Sequence, residues 1–129
     1  MEKKIRSFYE ILKKDRKLSP WSKDNTFKDR AEQLDSESKE ILEAIEKEDL
    51  NNLKEELGDA LWDLMFLSII AEEKGLFTFE DVIDSADEKL KRRKPWIFTG
   101  ENVSMDEEIR RWAEAKRKEK GSGLVKNDS

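Results

Sequence analysis

The chain has 129 residues, of which 44% are charged and 36% hydrophobic, and its net charge is −5; it fits one domain and is a poor general binder of nucleic acid or anionic membrane. With no cysteine and no histidine, disulfides, zinc–thiolate sites and Cys–His or Ser–His catalysis are excluded, and any metal site must be built from oxygen, the donor of Mg²⁺, Mn²⁺ or Ca²⁺. The charged N-terminus shows no signal peptide, and the longest apolar run, residues 60–71, is too short to span a bilayer; a soluble cytoplasmic protein is expected.

Apolar spacing predicts five helices, over about residues 2–16, 26–47, 50–74, 79–94 and 104–119. Between the first two lies "KLSPWSKDNT", read as a loop. Its Trp21 is first a lid on the core and second a stacking face for a base. Thr26 is placed to cap the second helix and Gly75 to end the third, while Thr78 and Asp81 resemble a capping box for the fourth. Pro95 and Gly100 bracket a break. Gly121 opens a polar tail, 121–129, expected to be flexible. No segment alternates with period two. The fold class is therefore all-α: a bundle of about five helices in a single domain over 1–120.

Residues 60–71 are apolar nearly all round, with only Asp63 and Ser68 polar. Such a helix must be covered on every side. Self-association is the expected remedy, as a homodimer or a tetramer. A buried central helix in a monomer is the alternative.

Two acid pairs border the predicted core. On the second helix Glu37 lies about 40° and Glu40 about 100° from the inward stripe of Leu34, Ile41 and Ile45. On the third, Glu56 and Asp59 stand at about the same two angles from a stripe of Leu53, Ala60, Leu64 and Ala71. A short connection makes the helices antiparallel neighbours, so four carboxylates can converge. Like charges brought together and partly buried repel, and either a proton or a cation must relieve them. On the fourth helix Lys89 and Arg93 extend the inward stripe, while Lys91 and Arg92 lie further out. These cations either complement the helix C-terminus or hold an anion such as phosphate.

Together, "PWSKDNTF", "ESKEILEAI", "KEELGDALWDLMF" and "EDVIDSADEKLKRRKPWIF" resemble the MazG-like nucleoside triphosphate pyrophosphohydrolases over about residues 20–98. The "EELGD" phrase, with Glu-x-x-Glu upstream, is the specific part. The resemblance implies an all-α bundle completed by dimerisation. It implies Mg²⁺-dependent hydrolysis of a nucleoside triphosphate to the monophosphate and pyrophosphate, with Mn²⁺ as a substitute ion and nucleotide-pool house-cleaning as a role. By matching position it makes Glu37, Glu40, Glu56 and Asp59 the catalytic metal ligands. It makes Trp21, Lys23, Lys89, Arg92 and Arg93 substrate-binding residues. Ser36 stands where the family often has glutamate, and Lys94-Pro-Trp-Ile-Phe98 where it commonly has His-Pro-His-Val-Phe. Rival readings are a dUTP- or dCTP-directed pyrophosphatase, a phosphoribosyl-ATP pyrophosphohydrolase, and a helical scaffold whose acids only solvate the bundle. No membrane or nucleic-acid partner is expected.

Overall fold

A computed structural model describes residues 1–122. Every regular element among them is an α-helix: α1 (Glu2–Leu18), α2 (Pro20–Lys23), α3 (Phe27–Glu46), α4 (Leu50–Glu73), α5 (Phe79–Arg93), α6 (Trp96–Thr99) and α7 (Met105–Ser122). The all-α expectation holds, and the five long helices are the five predicted. The segment read as a loop and the break between Pro95 and Gly100 each contain a single helical turn. In α2, Ser19 is the N-cap, its hydroxyl accepting from the Ser22 amide, and Pro20 stands in the first turn. There its missing N–H costs nothing. In α6, Pro95 opens the turn and Gly100 closes it with a left-handed φ of 78°. The last helix includes Gly121 and Ser122, two residues of the tail expected to be flexible; 123–129 lie outside the described residues. No helix among the described residues is long and apolar enough to cross a membrane.

The chain forms two compact units, Met1–Phe79 and one beginning at Glu80. In the first, α3 and α4 form an antiparallel hairpin on which α1 packs. Thr26 caps α3 as expected, and Asp29 completes the capping box. Asp49 caps α4 by accepting from the Asn52 amide. Gly75 ends α4 with φ 68°. There the Leu76 amide reaches the Ala71 carbonyl and the Gly75 amide the Glu72 carbonyl, a paired closure that needs a left-handed residue.

The corner between α3 and α4 closes in the same way, with Asp49 N–H on Ala44 O and Glu48 N–H on Ile45 O. Here the left-handed residue is Glu48, at φ 53°. This corner decides the site. Glu37 lies eleven residues before Glu48 and Asp59 eleven after; Glu40 lies eight before and Glu56 eight after. In an antiparallel pair, equal counts from the corner give equal heights, at about 1.5 Å per residue.

The core of this unit centres on Leu12, Met65 and Ile69, flanked by Phe8, Tyr9 and Phe79. Phe66, Ile70 and Ala71 are also buried, so the C-terminal half of α4 is covered. Its N-terminal half is not. Leu64, placed inward by its spacing, is 49% exposed, and so is 54% of Ile45 on α3. Leu42, Leu57 and Leu61 are exposed beside them. Within this unit α3 and α1 are the main neighbours of α4, and they leave its N-terminal half uncovered.

A non-glycine residue in the left-handed region costs about 1 kcal/mol. Glu48→Gly should therefore raise stability by roughly 0.5–1 kcal/mol in urea melts, whereas Glu48→Val, whose branched side chain resists that conformation, should lower it. A glycine variant less stable than wild type would show that the corner carries no strain.

Candidate functional site

The hairpin brings the acids together. Single carboxylate oxygens of Glu37, Glu56 and Asp59 all lie within 4.8 Å of one another. Glu40 joins them, close enough to act on both Glu37 and Glu56. All four side chains are half-buried. Carboxyl groups this close favour the protonated form of at least one of them. Burial first pushes the Glu37 carboxyl up, from 4.5 to about 8, aided by its bonds to Glu56 and Glu40 and by the charges of Glu40 and Asp59. For Glu56 the Glu37 bond alone acts downward. The bond to Glu40, burial and the charges of Glu40 and Asp59 outweigh it, and the group is raised.

One oxygen of each central acid, Oε2 of Glu37 and Oε2 of Glu56, is buried with no hydrogen-bond partner. An unpaired buried polar atom is costly. Partnerless carboxylate oxygens in an all-oxygen donor set suit a hard divalent cation. The residues present therefore fit such an ion.

Trp21 stands apart from the apolar core. It is 58% exposed, which removes the reading of it as a lid. One face of its ring lies over the Arg30 guanidinium, 5.0 Å from the ring centroid. With Asn25, Asp29, Glu32, Gln33 and Ser36 it lines an open cleft of about 450 Å³. The turn that carries it is clamped from α1: Arg16 donates from one amino group to the carbonyls of Ser22 and Asn25, both at 2.8 Å, and the Ser22 hydroxyl donates to Asp15. Lys23, at the end of the same turn, is exposed and lines a second cleft with Lys13, Arg16, Lys17, Ile69, Glu72 and Glu73.

Spacing alone did not single out Arg30. It is buried, and it donates to Asp63 Oδ1 at 3.1 Å and to Asn25 Oδ1 at 2.8 Å. Burial pushes the Asp63 carboxyl up, and the Arg30 bond and charge work against that shift. Two signals were present in the sequence. Arg30 sits seven residues before Glu37, hence on its face, and an acid such as Asp63 inside an apolar run needs a buried partner.

In the unit beginning at Glu80, Lys89 is half-buried and Arg93 buried near the end of α5. Arg93 is only 1% exposed. Its Nε and an amino group donate to Glu119 Oε2 at 3.2 and 3.1 Å, and Arg92 Nε donates to Glu119 Oε1 at 2.9 Å. One carboxylate of α7 thus takes two arginines of the basic segment. Burial would raise Glu119, but the arginine bonds outweigh it and hold the group low. Lys94 Nζ and Trp96 Nε1 both donate to Glu108, each at 3.1 Å, and fasten the α6 segment to α7.

A raised carboxyl binds its proton more tightly folded than unfolded. Its contribution to stability is thus complete below about 4.5 and is lost as pH rises through about 8. In chelator-treated protein, Tm should fall steadily from pH 5 to pH 9. Glu37→Gln should flatten that fall. A flat wild-type profile would show that the acids are not crowded.

The model of the MazG nucleotide pyrophosphohydrolase domain matches residues 25–98. Over 102 residues, 78% of this chain, the sequence is 36% identical to the nucleoside triphosphate pyrophosphohydrolase of Escherichia coli. It is 40% identical over 101 residues to the nucleoside triphosphate pyrophosphohydrolase/pyrophosphatase MazG of Thermotoga maritima, and 33% over 120 residues to the Mycobacterium tuberculosis enzyme of the first name. The chain spans 37–39% of the length of these relatives. The crystal structure of a MazG-related protein from Thermotoga maritima superposes with a TM-score of 0.80 at 33% identity, covering 87% of this chain and 98% of that one. A helical hairpin that gathers two acid pairs, a family model matching most of the chain and a structural relative matched over nearly its whole length agree: the chain belongs to the MazG nucleotide pyrophosphohydrolase domain family.

Proposed function

We propose that this protein hydrolyses a nucleoside triphosphate to the monophosphate and pyrophosphate. The convergence of Glu37, Glu40, Glu56 and Asp59 carries the reading, supported by the names of the relatives. These four residues would hold Mg²⁺, or Mn²⁺ in its place. When bound, the ion supplies charge neutralisation at the phosphate oxygens and an acidified water. The remaining tasks belong to the chain. Glu37, the most inward acid of α3, accepts a proton from the attacking water. The water oxygen bonds to phosphorus, and the anhydride bond between the α- and β-phosphates breaks. Trp21 stacks its exposed ring on the base; Lys23, at the end of the same turn, faces the second cleft. House-cleaning of the nucleotide pool is the role that fits this chemistry.

Asp59→Asn should abolish Mg²⁺-stimulated pyrophosphate release. It should leave the metal-free protein as stable as wild type or more so, because a crowded charge is gone. Mg²⁺ should raise the wild-type Tm by binding only the folded state, and raise that of the variant less. Trp21→Ala should raise KM more than it lowers kcat. An Asp59→Asn protein with full activity and a full metal shift would sink the proposed site.

We also propose that the protein is at least a homodimer, because Leu42, Ile45, Leu57, Leu61 and Leu64 stand exposed on adjoining helices. Contiguous apolar surface of this kind normally marks an association site. Light scattering at micromolar concentration should return at least twice the 15.2 kDa chain mass; a stable monomer of that mass would contradict it.

A further inference from the structure

The ring proposed to receive the base does not fix its own position. Trp21 is carried by the four-residue helix α2, too short to be rigid alone. Its neighbour Arg30 is rigid. Arg30 is 2% exposed, and its guanidinium is held at 3.1 Å by Asp63 and at 2.8 Å by Asn25. The guanidinium also lies 4.0 Å from the centroid of the buried Phe66 ring. Its remaining Nε has no hydrogen-bond partner, so aromatic rings are a substantial part of its surroundings. From this seat it reaches Trp21 twice. It lies over the indole at 5.0 Å, and Asn25, which accepts from it, donates in turn to the Trp21 carbonyl at 3.1 Å.

We infer that Arg30 is a positioning residue for the substrate: fixed by Asp63 and Asn25, its planar guanidinium holds the Trp21 indole in the orientation that stacks on the base. The inference rests on the proposed stacking role of Trp21. A buried ion pair is weak evidence for stability, since apolar residues of equal volume often do as well. A flat cation is nonetheless well suited to holding an aromatic ring in solvent. It stacks on one face while its edges keep two hydrogen-bonded partners, which an ammonium cannot do with the same geometry. Asp63 is also one helical turn beyond Asp59 on α4, so the base platform is fastened to the helix that carries two of the proposed metal ligands.

The test is steady-state kinetics with Mg²⁺ and a nucleoside triphosphate on four proteins: wild type, Trp21→Ala, Arg30→Lys and the double variant. Lysine keeps the charge beside Asp63 and loses the plane and the second arm. Arg30→Lys should raise KM about three- to tenfold and leave kcat within about twofold. In the Trp21→Ala background the same change should raise KM no further, because the ring through which it acts is gone. Unchanged KM in Arg30→Lys, or KM increases that multiply in the double variant, overturns the inference. Trp21→Ala with wild-type KM defeats the stacking role itself, and the inference with it. Asn25→Ala cuts the same support away from the core and serves if Arg30→Lys does not fold. It should raise KM in the wild-type background and not in the Trp21→Ala background, and any other pattern counts against Arg30.

Discussion

Repulsion between four carboxylates at one edge of a two-helix contact is the constraint to which the rest of the first unit answers. Left free, acidic side chains would turn to water. Here the fold brings them together, because α3 and α4 are joined by a three-residue corner and α1 packs on α4. The buried C-terminal half of α4, with Met65, Phe66, Ile69 and Ile70, supplies the apolar burial that can offset the crowding. Apolar side chains of this size are worth roughly 1.5–3 kcal/mol each on burial, more than an exposed ion pair returns. The hairpin is therefore held where it is well packed and charged where it is open, a division suited to a ligand that arrives from solvent.

Much of this was legible in the sequence. Five helices followed from apolar period, and the matched angles of Glu37, Glu40, Glu56 and Asp59 foretold that the acids would meet. Angles are local quantities, and a helix preserves them. What escaped was non-local or too short for a period to register. Arg30 and Asp63 find each other across 33 positions of sequence, and neither residue announces its partner. The turns α2 and α6 hold four residues each, little more than one period. Their capping chemistry was visible, Ser19 before Pro20 and Gly100 after Thr99, but it marks a helical turn only where neighbouring side chains hold it. The inward stripes were overdrawn at Ile45 and Leu64, because periodicity reports which face is apolar and not whether anything covers it.

The basic segment illustrates another limit. Spacing placed Arg93 on the apolar side of its helix, and it is buried. Nothing in α5 showed that an acid 26 residues on would hold it. Glu119 bridges Arg92 and Arg93 with its two oxygens, so two guanidinium groups that would otherwise repel are fixed at one spacing. With Arg93 only 1% exposed, the bridge serves to fix the end of α5 against α7. The last helix is thus tied to the basic segment as well as appended to it.

The equal arms of the α3–α4 hairpin act as a ruler. Exchanging one side chain for another leaves both counts at eleven and eight, but inserting or deleting one residue within an arm does not. A single added residue between Glu40 and Glu48 would turn the first acid pair by about 100° about its helix and shift it about 1.5 Å along it. The same addition in the segment from Leu18 to Thr26, outside both arms, would leave the acids in step. Length is therefore constrained from Glu37 to Asp59 in a way that it is not between Leu18 and Thr26.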